Sequence, residues 1–181
     1  LDMREDKDNL DWTFANLDPS ELEALAAAVV DSRKVWITGQ RISQSFAHYI
    51  YWQLTKIVGE VAVFPQGGET LGEHVARIEE GDLVIAITLR RRIAGTRQLL
   101  DTIAESGARL ALISDETMAR HPAAHWHFPC RIHSDGPQFN HAAVLALCHQ
   151  IVVRATLKAG RTGRDRLRRV DAVNEKLAQY E

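Results

Sequence analysis

From Leu83 to Ile87 the chain reads Leu-Val-Ile-Ala-Ile, with no polar residue at alternate positions. A half-exposed strand alternates apolar and polar side chains. One that is apolar on both faces has to be covered on both, which is the place of a central strand in a parallel sheet. The neighbouring patterns meet that demand. Lys34–Thr38, Glu60–Phe64, Asp82–Thr88, Ala108–Ile113 and a stretch within Trp126–Ile132 read as strands, with Ser114-Asp115 closing the fourth.

Helical periodicity fills the gaps. Asp18-Pro19-Ser20-Glu21 is a helix start: Asp18 is placed to accept from first-turn amides, and Pro19 suits the first helical position. Leu22, Leu25, Ala26 and Val29 then repeat on one face. Ser43–Val58 follows, with Phe46, Ile50, Leu54 and Ile57 on its apolar side. Leu71, Val75 and Ile78 mark a short helix, Ala94–Ser106 a longer one ended by Gly107. A long apolar helix runs from about Phe139 to Leu157. Gly160 and Gly163 break it, and Asp165–Tyr180 reads as a charged, peripheral helix. Strands alternating with helices at this spacing imply a parallel sheet covered on both faces.

A length of 181 residues, 45% hydrophobic and 25% charged, fits one globular domain with a substantial core. Residues 1–31 carry nine acids against Arg4 and Lys7. Arg154, Lys158, Arg161, Arg164, Arg166, Arg168 and Arg169 face only Asp165 within 154–169, which reads as a solvated helix face rather than a nucleic-acid surface. Cys130 and Cys148 form no disulfide framework and fit a reducing cytoplasm. No stretch reads as a membrane span or secretory leader, so no membrane partner is expected. The opening Leu1-Asp2-Met3 is read as the start of a fragment.

Two strand-to-helix junctions carry the chemistry. Ile37-Thr38-Gly39-Gln40-Arg41-Ile42-Ser43 and Ile85-Ala86-Ile87-Thr88-Leu89-Arg90-Arg91-Arg92 both leave an apolar strand for glycine, hydroxyl or arginine residues and then a helix. Open parallel sheets bind ligands beyond the carboxyl ends of their strands. There, helix-start amides, hydroxyls of Ser43, Thr88 and Thr96, and guanidinium groups of Arg41, Arg90, Arg91 and Arg92 suit a phosphate. Gly39 lets the backbone turn tightly. A dinucleotide site is disfavoured, because Gly39–Ser43 lacks the later glycines of G-x-G-x-x-G. His121, His125, His127, Cys130 and His133 match no metal-ligand spacing, and no metal is expected. Glu69, Glu73 and His74 offer proton-transfer groups for an aldose–ketose isomerisation, but their segment reads better as an ordinary amphipathic helix. His141 begins the long apolar helix, placed either to reach an anion or to meet a subunit. Trp12, Trp36, Trp52 and Trp126 share no stripe and read as core or interface residues.

In order and spacing, Val35-Trp36-Ile37-Thr38-Gly39-Gln40-Arg41-Ile42-Ser43, Phe64-Pro65-Gln66-Gly67-Gly68-Glu69-Thr70-Leu71 and Gly81-Asp82-Leu83-Val84-Ile85-Ala86-Ile87-Thr88 resemble a sugar isomerase (SIS) domain, and within that group the sensor domain of RpiR-type transcriptional regulators. The resemblance covers about Asn9 to Leu157. It implies an α/β fold, a doubly wound three-layer sandwich with a five-stranded parallel sheet, and a non-catalytic domain. It also implies a phosphorylated sugar or related anionic metabolite bound without a cofactor, with Ser43 and Thr88 at the phosphate-holding hydroxyl positions, Arg91 at the second-loop arginine and Thr96 at the helix-start hydroxyl; Gly39, Gln40, Arg41, Arg90 and Arg92 join them as candidate site residues from the two junctions. The parts it implies are a linker and helix over 1–31, an SIS core over 34–158 and a helical extension over 160–181. A homodimer or higher homo-oligomer follows, with DNA contacted only through a helix-turn-helix domain preceding Leu1. The second loop departs from the pattern: Thr88-Leu89-Arg90-Arg91-Arg92 stands where many SIS proteins have S-x-S-G-x-T and many regulators S-F-P-R-Y. Arg90 and Arg92 there imply a more anionic ligand, with two phosphates or a phosphate and a carboxylate. The apolar surplus of the helix from Phe139 to Leu157 implies a second cover, either a dimer partner or the C-terminal helix folded back.

Overall fold

A computed structural model describes residues 3–179. The elements are α1 (Arg4–Ala15), α2 (Pro19–Asp31), β1 (Val35–Gly39), α3 (Ser43–Leu54), β2 (Val61–Phe64), α4 (Gly72–Val75), β3 (Leu83–Thr88), α5 (Thr96–Glu105), β4 (Arg109–Asp115), β5 (Trp126–Cys130) and α6 (Ala142–Lys176). The five strands form one sheet in the order β2-β1-β3-β4-β5, every pairing parallel. In register, Val35 sits beside both Val61 and Leu83, and Gly39 beside Ile87.

Strand parity sorts the core into two layers. Val35, Ile37, Leu83, Ile85, Ile87, Ala111 and Ile113 pack with apolar residues of α2, α3 and α6. Trp36, Phe64, Val84, Ala86, Leu110 and Leu112 face Leu100 and Ile103 of α5 and Ile78. The doubly wound three-layer sandwich is therefore present. Buried Asp82 pins the start of β3 to its neighbours, accepting from Arg33 at 2.9 Å, Trp36 Nε1 at 2.8 Å and the Glu79 amide at 3.2 Å.

Helix boundaries differ from expectation in three places. α1 lies inside the expected N-terminal linker. Its buried residues are polar: Asn9 donates to the His133 carbonyl at 2.8 Å, and Thr13 Oγ1 accepts from the Arg131 amide at 2.9 Å. α3 stops at Leu54, because Ile57 and Val58 both turn back to the Leu54 carbonyl. α6 does break at Gly160, whose backbone is non-helical (φ 54°, ψ −129°), but not at Gly163, which lies in the helical run that continues to Lys176. Gly163 is buried inside it, and Arg166 donates to the carbonyls of Thr55 and Gly59. Tyr180, the expected end of that helix, lies outside the described residues.

α1, α2 and α3 all pack on α6. Much of the apolar surplus of α6 is thus covered within the chain, by these three helices rather than by its own C-terminal half, while Leu145 and Leu157 stay exposed. α6 does include an 18-residue window of mean hydropathy 1.3, long and apolar enough to cross a membrane, contrary to the reading from sequence. Ala143, Val144, Leu147, Cys148 and Ile151 of that helix are fully buried in the core.

Candidate functional site

The chain order reverses between β1 and β3, so the crossovers leaving them diverge and open a crevice at their carboxyl ends. Both junctions lie there. Gly39 is required by contact: a Cβ at this position would stand 2.5 Å from the carbonyl oxygen of Ser43. The missing side chain lets the first turn of α3 sit directly against the end of β1. That turn is tight, with the amides of Ser43, Gln44 and Ser45 donating to the carbonyls of Gln40, Arg41 and Ile42. Arg41 adopts a positive φ of 57°.

The two junctions are tied to one another. Buried Ser43 accepts, through Oγ, the amide of Leu89 at 3.1 Å. Its hydroxyl donates to no other described residue, and Ser43 lines a small cavity of about 20 Å³. Thr38, Gly39, Gln40, Thr88, Arg91, Arg92 and Thr96 line the same cavity. Arg91 also borders a groove of about 480 Å³, lined further by Arg41, Ile42, Arg90, Phe139 and His141. The residues expected at the site therefore converge, Arg41 and Arg90 on the groove and the others around the cavity.

Their side chains are not equally available. Arg92 pairs with buried Asp115 and donates to Thr117 Oγ1 at 3.2 Å, so its guanidinium braces the loop instead of standing free for a ligand. Thr96 Oγ1 donates to the Ile93 carbonyl at 2.8 Å, and Thr88 Oγ1 lies 3.1 Å from Met118 Sδ, a weak acceptor. Arg41, Arg90 and Arg91 have no carboxylate partner among the described residues.

Two contributors, Thr38 and Asp115, were not legible as site residues, and a third, His141, was read only as placed to reach an anion or to meet a subunit. Thr38 buries its hydroxyl beside the cavity without a partner among the described residues. A hydroxyl one residue before the β1 glycine was the available signal. Asp115 organises the second loop, accepting the Arg90 amide at 2.9 Å as well as Arg92. Burial pushes its carboxyl up, but hydrogen bonds from Thr117 and the charge of Arg92 outweigh that and hold it below the usual aspartate range. His141, placed between Phe46 and Phe139, is lowered by burial, and its Nε2 has no partner among the described residues.

The groups weighed for other chemistries are employed elsewhere. His74 Nε2 lies 2.8 Å from Glu69 Oε2, Glu73 bonds Thr70, and none of the three lines the cavity. Hydrogen bonds from Gln66 and His74 lower the Glu69 carboxyl, and the one from Thr70 lowers Glu73, which weakens each as a base. His121 contacts Asp101, His125 Nδ1 accepts the Leu110 amide, His127 contacts Ser114 and His133 contacts Asp135. No three metal-binding side chains converge among the described residues.

Residues 28–154 match the SIS domain family. No curated protein matches the chain by sequence. Among solved structures, the sugar isomerase domain of an RpiR transcription factor from Sphaerobacter thermophilus superposes with a TM-score of 0.84 at 21% identity, covering 94% of this chain and 96% of that one. The Vibrio vulnificus NanR protein complexed with ManNAc-6P gives 0.76 at 14% identity, covering 94% and 66%. A protein of Methanococcus jannaschii, whose structure was taken to infer 3-hexulose-6-phosphate isomerase function, gives 0.60 at 14% identity, covering 92% of each chain.

Proposed function

Because this chain belongs to the SIS domain family, we propose that it is the effector-binding domain of a bacterial RpiR-type transcriptional regulator, sensing a phosphorylated sugar or related anionic metabolite. The observation that carries the reading is the Ser43–Leu89 link at the switch between β1 and β3. Around one cavity stand the Ser43 hydroxyl, which donates to no described residue, the unpartnered Thr38 hydroxyl and Arg91, a set of donors suited to phosphate oxygens. Arg92 contributes by fixing the loop.

The likeness to the RpiR and NanR structures supports a regulator with the sequence divisions given above: 1–31 as linker and helix, 34–158 as core, 160–181 as extension. DNA is contacted only through a preceding helix-turn-helix domain, in the cytoplasm. A homodimer is supported by an apolar stripe on the outer faces of α3 and α6. Ile42, Tyr49 and Trp52 follow one face of α3, and Tyr49 contacts His149, beside Leu145, at 3.1 Å. Trp52 is 62% exposed and Leu145 45%.

A phosphosugar aldose–ketose isomerase is the second reading, favoured by the His74–Glu69 pair and the Methanococcus jannaschii likeness. One experiment separates them. A panel of phosphorylated sugars is screened by thermal shift on the domain and on the Ser43→Ala/Arg91→Ala variant, with turnover followed in parallel. The regulator reading expects stabilisation that the double variant loses, without turnover. Interconversion abolished by Glu73→Gln or His74→Ala would replace it with the enzyme.

A further inference from the structure

Resting on the phosphate-site reading above, we propose that the groove beside Arg91 is a second anion subsite, so that the natural ligand carries two acidic groups rather than one. The cavity at Ser43, at about 20 Å³, holds little more than a single water-sized group. The body of any phosphorylated metabolite bound there has to extend past Arg91 into the adjoining groove of about 480 Å³, a volume ordinary for small-molecule sites.

What lines that groove decides what the ligand's far end is. Arg41, Arg90 and Arg91 all border it, and none has a carboxylate partner among the described residues. Elsewhere, Arg92 is paired with Asp115, Arg97 with Asp101, Arg120 with Glu21 and Arg154 with Glu23. Three arginines without a carboxylate partner thus border one groove, where their mutual repulsion is relieved by an incoming anion.

The guanidinium groups are also directed. Asp115 accepts the Arg90 amide at 2.9 Å, fixing the backbone, while the Arg90 head lies 5.8 Å over the Phe139 ring. Arg41 projects from a left-handed backbone (φ 57°), a conformation that costs a non-glycine residue and tends to persist at ligand sites. A neutral sugar terminus needs acceptors as well as donors. Guanidinium groups provide donors only, which match a phosphate or a carboxylate.

The test is calorimetric titration of the purified domain at one ionic strength with fructose 6-phosphate, fructose 1,6-bisphosphate and 6-phosphogluconate. At least one of the two-acid probes binds about tenfold or more tighter than fructose 6-phosphate, a factor within reach of one desolvated charge-assisted contact. In Arg41→Ala/Arg90→Ala that ratio collapses to less than about threefold. Ser43→Ala weakens all three probes. Both arginines are exposed, and thermal melts verify that the variants fold. Equal binding of all three probes, or a preference that survives in the arginine variant, overturns the second subsite while leaving the single-phosphate reading intact. A preference that Ser43→Ala does not touch overturns the phosphate site instead, and absence of binding by every probe overturns both.

Discussion

Gly39→Ala is the sharpest probe of how the site is built. The added Cβ would stand 2.5 Å from the Ser43 carbonyl oxygen, 2.7 Å from its carbonyl carbon and 3.1 Å from the Gln44 amide nitrogen. All three are backbone atoms of the first turn of α3, so no side chain can swing aside. Carbon contacts settle near 3.5–4.0 Å, and the turn has to retreat by roughly 1 Å. Overpacking of this kind costs about 1–3 kcal/mol, and the reduced entropy of the unfolded chain returns about 0.4–1 kcal/mol. The net loss spans about 0–2.6 kcal/mol with a midpoint of about 1.3 kcal/mol, which in a domain of this size lowers Tm by roughly 3–5 °C. Gly59→Ala is the matched control, since a Cβ there meets nothing within 4 Å. Its Tm should hold or rise slightly. Side-by-side thermal melts decide the matter. If Gly39→Ala melts no lower than Gly59→Ala, the close approach of α3 is not what demands glycine.

Three further outcomes follow from the same geometry. Ser43→Ala leaves the Leu89 amide without its acceptor in a buried setting, so urea unfolding should show a loss of about 1–3 kcal/mol even in the absence of ligand. Asp115 has a lowered carboxyl in the folded state, so the unfolded chain takes up its proton first; its contribution is complete above about pH 4 and fades as pH falls further, and Asp115→Asn should flatten that acid limb in urea titrations taken across it. Trp52→Glu places a charge on the exposed α3 stripe and should shift light scattering at micromolar concentration from dimer to monomer; a wild-type domain already monomeric would refute the dimer.

The sheet was legible because its strands are built from unbroken apolar runs, a pattern that admits few alternatives. β4 was read short since Ser114 and Asp115 look like a turn, yet both are buried, Ser114 in register with Thr88 and Pro129 and Asp115 with Cys130. α1 escaped notice because it has no apolar stripe; its inward residues are Asn9 and Thr13, held by hydrogen bonds to a segment over a hundred residues away. Gly163 looked like a helix breaker, but it is helical and sits just past the Gly160 kink, where a Cβ would stand 2.6 Å from that of Ala159. At the site, residue types near each junction were enough to nominate the arginines and hydroxyls. Which arginine is free was not readable, since that depends on Asp115, brought to the loop only by the pairing of β3 with β4.

One oxygen atom, Ser43 Oγ, belongs at once to the first turn of α3 and to the loop after β3. A bound phosphate that takes the Ser43 proton polarises the same oxygen that receives the Leu89 amide, and each bond strengthens the other. Perturbations on the two sides of that oxygen will therefore not add, and a double-mutant cycle between Ser43 and a second-loop residue should return a coupling energy of about 0.5–3 kcal/mol. The far end of α3 lies about 16.5 Å along the helix axis from Ser43, at 1.5 Å per residue to Leu54, and exposed Trp52 stands near it. The cavity and the exposed stripe are thus carried by one helix, anchored at its first turn to the loop after β3.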